Sequence, residues 1–157
     1  MASAAAVPFA GVAIAADLIH GFPADLNVGF PRSLAFYPAI AIVAESTFHA
    51  APLGGVLAAT GWLWDEGQGL DRNAVIATCI VAAVEPCAQA ALGSTMLPLV
   101  VPHVAAIGVF QIALLRWAGY IPTLWFRLAY YALWHIAWGM VRPRLTAEPT
   151  AAESEPP

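Results

Sequence analysis

The chain has 157 residues, a formal net charge of −4 at pH 7, 61% hydrophobic residues and only 10% charged ones. Soluble domains carry about a quarter charged residues, so this balance excludes an ordinary water-soluble core and points to a lipid bilayer as the solvent. All six basic residues are arginine, which looks like the mark of a GC-rich coding sequence and argues against nucleic acid as a partner.

Gly, Pro and charge divide the chain into five hydrophobic segments. The start, MASAAAVPFAGVAIAADL, lacks the positive region of a cleaved secretory signal, so Val7 to His20 reads as a retained membrane helix. After the loop GFPADLNVGFPR, a second segment runs from Ser33 to Trp64 and contains Pro52, Gly54 and Gly55. It is either one helix bent near Pro52 or a span followed by a re-entrant piece. The link DEGQGLDR leads to Asn73–Leu92, the GST turn to Met96–Ala118, and GYIP to a last segment, Thr123–Val141. Cys79 and Cys87 read as small buried hydrophobes. The expected fold is therefore all-α: a polytopic transmembrane bundle of five helices, six if Ser33–Trp64 divides, forming one domain over residues 1–142. Residues 143–157 form a Pro-rich acidic tail with too little apolar surface to fold. With the tail cytoplasmic, Arg32, Arg142 and Arg144 lie inside a cell membrane and Arg72 and Arg116 outside.

An ionisable group in a membrane segment costs several kcal/mol unless it meets a partner or a wet cavity, about 2.5 kcal/mol or more for a charge. The apolar segments hold Glu45 with His49, Glu85 with Gln89, His103 with Gln111, and Arg127 with His135. Each pair is four or eight residues apart and so shares a helix face, which turns four polar faces toward a common interior. At about 1.5 Å per residue, Glu45, Glu85, His103 and His135 fall at similar depth. Glutamates and histidines from several helices match the ligand chemistry of a zinc site that keeps a position for water. Glu85, His49, His103 and His135 are then the candidate Zn2+ ligands, and Glu45 with His103 the candidate catalytic pair. The alternative is a structural network in which the same groups pair with one another and fix helix register.

At Ala44-Glu45-Ser46-Thr47-Phe48-His49 the chain resembles the CPBP family of intramembrane proteases, the CAAX-processing and bacteriocin-processing enzymes also called abortive infection proteins. The family's first motif reads EExxxR; here Glu45 and Phe48 fit, with alanine for the first Glu and histidine for the Arg. In its FxxxH motif Glu85 and Gln89 take the two named positions, His103 to Ile107 resembles HxxxN, and FRLAYYALWHIAWGMVR is similar to a terminal helix of divergent members. The resemblance implies metal-assisted hydrolysis of a membrane-bound peptide or prenylated substrate, with Glu45 and His103 acting on water. Its rivals are a catalytically silent binding or maturation factor and a small transporter or proton relay built on the same groups.

Overall fold

The computed structural model describes residues 2–23, 26–60, 72–91 and 97–146, and every regular element among them is helical. Helix α1 spans Ala2–His20. Helix α2 (Ser33–Glu45) runs through a π-helical stretch, Ser46–Ala50, into α3 (Ala51–Thr60), and α4 (Arg72–Ala91) and α5 (Leu97–Ala118) follow. Helix α6 (Tyr120–Tyr131) passes through a second π-helical stretch, Ala132–Trp138, into α7 (Gly139–Thr146). These make five helical rods, and Ser33–Thr60 is one continuous run rather than two passes. Ala2–His20, Ser33–Val56 and Pro98–Ala118 are each long and apolar enough to cross a membrane, and Val75–Ala91 is a shorter apolar helix. The expected all-α bundle is the fold observed.

Apolar residues cover the outside of the bundle and also fill most of its interior, where a smaller set of polar residues is gathered. Asp17, Ser33, Glu45, His49, Glu85, Gln111, Thr123 and Arg127 are buried, while Val7, Val12, Ile42, Val43, Ile80, Val109, Trp117 and Trp125 are exposed. So much outward apolar surface is stable only against hydrocarbon. Cys79 and Cys87 belong to this outer surface, contrary to the expectation that both are buried. Their neighbours Ala77, Val81 and Ala82 face inward instead, which turns the cysteines out.

Small residues let the rods approach. On α1 the inward face is Ala6, Ala10, Ala13 and Asp17, an alternation of four and three that keeps pace with an α-helix, and it packs on α6. Between α4 and α5, a Cβ at Gly108 would stand 3.0 Å from the Ala82 carbonyl oxygen. That carbonyl is the one Pro86 leaves without its helical donor, so glycine fits where the backbones meet.

The other two inward stripes keep a stricter spacing. Ser33, Tyr37, Ala41, Glu45, His49 and Leu53 are all buried and all four residues apart. In a regular α-helix each such step overshoots a full turn by about 40°, which would carry the stripe out to lipid. The π-helical turn, closing i to i+5, takes more than four residues and returns the stripe to the core. The expected irregularity near Pro52 takes this form, one turn ahead of the proline. Phe126, Tyr130, Trp134 and Trp138 keep the same spacing through the second π-helical stretch.

Only Gly119 interrupts the helix at GYIP. Its φ of 85° makes the turn, and its carbonyl accepts from Thr123 Oγ1 at 2.9 Å. Pro122 lies in the first turn of α6, where an N–H has no helical partner to lose. At the other end, Arg142 donates to the carbonyls of Phe22 and Pro23, and the helix continues to Thr146, past the expected boundary at 143. Of the expected disordered tail, residues 147–157 lie outside the described residues, as do residues 65–71 of the link DEGQGLDR and the GST turn at 93–95.

Candidate functional site

Three polar layers cross the bundle. The first is centred on Arg127 of α6, which is buried with its donors spread over three other rods. Its Nε donates to Glu45 Oε2 at 2.9 Å, and its two terminal nitrogens grip Glu85 in a fork, Nη1 to Oε1 at 3.0 Å and Nη2 to Oε2 at 2.7 Å. Nη2 also donates to Gln111 Oε1 at 3.0 Å and Nη1 to Tyr131 Oη at 3.2 Å. Gln111 turns its amide nitrogen to Glu45 Oε2 at 2.5 Å, so that oxygen serves two donors. Planar bidentate pairing of this kind is the strong form of the ion pair.

His49 completes the layer. Its Nδ1 lies 3.1 Å from Arg127 Nη2 and 3.5 Å from Glu45 Oε2. Its Nε2 stands 3.9 Å from Glu85 Oε2. His49 Nε2 and Glu45 Oε1 have no hydrogen-bond partner among the described residues.

The second layer holds His103 and His135. His103 Nε2 is 3.1 Å from Tyr130 Oη, and His135 Nδ1 donates to Asn27 Oδ1 at 2.7 Å. Tyr37 stacks on the His135 ring with centroids 4.5 Å apart, and its hydroxyl accepts from the Val28 amide at 2.8 Å. The third layer is a clamp at the α1 and α7 ends. Asp17 accepts from the Phe22 amide at 2.7 Å, from Trp138 Nε1 at 2.6 Å and from Arg142 Nε at 3.0 Å.

Of the residues expected to form one site, Glu45, Glu85 and His49 come together, and His103 and His135 do not join them. The reason is axial distance. Gln111 of α5 and Arg127 of α6 are in the first layer, and His103 and His135 are each eight residues away, a displacement of about 12 Å along their helices. Among the described residues no group of three His, Cys, Asp or Glu side chains is arranged to hold a metal ion. The positions a metal would take between Glu45, His49 and Glu85 are served by the guanidinium of Arg127.

Sequence reasoning placed Gln111 and Arg127 on the inward polar faces and, in its structural alternative, had these groups pair with one another, as Arg127 and Glu45 do; it did not single out Asp17 or Asn27. Asp17 had a signal, a lone carboxylate on the alanine face of an apolar helix. Asn27 had none, being in a connecting loop.

Between the first and second layers lies a cavity of about 370 Å³. Glu85, Gln89, Gln111 and Arg127 lie on one side of it, His103 and His135 on the other, and Ala13, Ala16, Val104, Ile107, Phe126 and Trp134 supply apolar wall. The exposed Val12, Leu26 and Leu99 also line it, so it reaches the outer surface of the described bundle beside α1 and the start of α5. Comparison with protein-family models, curated proteins and solved structures returned no match for the chain.

Proposed function

We propose that this is an integral protein of the cell membrane that binds an amphiphilic ligand drawn from the bilayer, with the Arg127 network as the rigid floor of its binding cavity. The observation that carries the reading is the cavity itself. Its volume of about 370 Å³ is within the usual range for small-molecule sites, and its walls are apolar with a few convergent polar groups. Of its exposed lining residues, Val12 is on the outward face of the apolar helix α1, which favours entry of a ligand from hydrocarbon.

Peptide hydrolysis, which the family resemblance implies, has less support. A general base needs a carboxylate free to take a proton from water. Glu45 has one oxygen, Oε1, without a hydrogen-bond partner among the described residues, but it is fully buried and is not among the cavity-lining residues, so water in the cavity does not meet it. Glu85 lines the cavity but is held by both terminal nitrogens of Arg127. The C-terminal end is taken as cytoplasmic because Arg142 bonds to the α1–α2 connection that also carries Arg32, which gathers positive charge at one end.

The test is ligand occupancy. Protein purified in a maltoside detergent is titrated with a ten-carbon alkyl probe while its melting temperature is followed. Binding is expected to raise the melting temperature in the unmodified protein and to be lost in Ala16→Phe, which fills the cavity without touching the ion network. Probe binding that is undiminished in Ala16→Phe would sink the reading.

A further inference from the structure

The charged groups at the cavity wall are already matched to one another. A guanidinium has five N–H hydrogens, and each one on Arg127 has an acceptor: Nε on Glu45, Nη1 on Glu85 Oε1 and Tyr131 Oη, Nη2 on Glu85 Oε2 and Gln111 Oε1. Glu85 is held in turn at both oxygens. An ammonium brought to Glu85 would stand beside the guanidinium, and an anion brought to Arg127 would stand beside the carboxylate, since both residues line the same cavity. Either charge would leave water to meet its like, with no unspent opposite charge to offset the cost.

What the wall leaves unspent is an amide and two imidazole nitrogens. Gln89, half-buried one helical turn beyond Glu85 on α4, lines the cavity, and its side chain makes no hydrogen bond among the described residues. His103 and His135 line the opposite side, bonded through Nε2 to Tyr130 Oη and through Nδ1 to Asn27 Oδ1, so that among the described residues the other nitrogen of each ring has no hydrogen-bond partner. Polar groups left bare in an apolar cavity are costly, and a ligand that answers them gains what they lack. A hydroxyl both donates and accepts, so it suits an amide and an imidazole nitrogen in either tautomer.

Resting on the binding reading above, we propose that the cavity's ligand is an uncharged amphiphile, an alkyl chain ending in a hydroxyl that hydrogen-bonds to the Gln89 amide. The imidazoles offer the hydroxyl a second partner, and the chain lies along Val104, Ile107 and Phe126 and leaves past Val12 toward the lipid.

Four probes of equal chain length decide it: decanol, decane, decyltrimethylammonium and decyl sulfate. Each is added to the protein in phosphatidylcholine nanodiscs, where no hydroxylated detergent competes, and compared at equal mole fraction in the bilayer with melting temperature as the readout. Decanol is expected to bind about threefold or more tightly than decane, the worth of a net hydrogen bond, and about tenfold or more tightly than either ion. Gln89→Met keeps the side-chain length and removes the amide, so it is expected to weaken decanol about threefold or more and to leave decane within about twofold of its former affinity. The probe series in the unmodified protein stands alone if Gln89→Met does not fold. Either ion binding as tightly as decanol, or decane doing so because water already answers the amide, with Ala16→Phe still abolishing the binding, overturns the headgroup assignment and leaves the cavity standing. A decanol preference that Gln89→Met leaves intact overturns it too. Binding that persists in Ala16→Phe, or binding by none of the probes, is instead the failure of the binding reading itself.

Discussion

Arg127 and Glu85 are 42 residues apart in the chain and meet through two parallel hydrogen bonds of 3.0 and 2.7 Å in the middle of an apolar bundle. The pair is shared: the same guanidinium holds Glu45 at 2.9 Å, so either carboxylate alone suffices to neutralise it.

That sharing makes the network asymmetric to mutation. Glu45→Gln leaves Arg127 paired with Glu85 and is expected to cost about 1.5 to 3 kcal/mol, the value of a hydrogen bond to a charged group. Arg127→Gln strands two buried carboxylates and is expected to cost about 3 to 5 kcal/mol or more. Unfolding by a denaturing detergent, followed by circular dichroism, ranks the two. Equal losses would mean that Glu45 and Arg127 act as an isolated pair.

Metal content follows from the same geometry. Protein purified in mild detergent is expected to hold no stoichiometric zinc, and chelator is expected to leave its melting temperature unchanged, because the guanidinium serves the carboxylates a metal would need. One tightly bound zinc per chain, lost on Glu85→Gln, would restore the metal reading.

The crossing of α4 and α5 is backbone against backbone. Gly108→Ala puts a methyl 3.0 Å from the Ala82 carbonyl oxygen, so the helices must separate, at a cost of about 1 to 3 kcal/mol. Gly54→Ala, where nothing lies within 4 Å of the added Cβ, is the control and is expected to leave stability unchanged or slightly raised. Thermal melts of the two variants side by side make the comparison.

Asp17 holds the α7 end to α1 through Trp138 and Arg142. Asp17→Asn keeps the size and removes the charge, and is expected to cost about 1.5 to 3 kcal/mol. Limited proteolysis after residue 139 is the more specific readout, since loss of the clamp frees the end of the helix. Unchanged cleavage would assign the clamp to the Arg142 bonds with the Phe22 and Pro23 carbonyls alone.

Much of this was written in the spacing of polar residues. The number of rods, their limits to within a few residues and the inward turn of Glu45, His49, Glu85, Gln111 and Arg127 all follow from hydropathy and helical periodicity. What spacing does not report is which residues on different rods stand level. The expectation that His103 and His135 join Glu45 rested on depths counted from assumed entry points. The layers here are eight residues, about 12 Å, apart, so errors of about four residues in the depths assigned to two facing helices add up to a whole layer. Pairing of Arg127 with Glu45 was open to the sequence reading as part of a structural network, but that one guanidinium would gather Glu45, Glu85 and Gln111 was not, since those partners come from three other rods.

The two π-helical stretches set a rule for comparing this chain with any relative. A stripe kept at four-residue intervals from Ser33 to Leu53 stays on one side only because the turn at Ser46–Ala50 is oversized. A homologue that lost the oversized turn while keeping the same packing would be shorter by one residue inside a helix. The alignment gap would then fall between residues 46 and 50, not in a loop, and an aligner that moved it to a loop would put every later position of that rod about 100° out of phase.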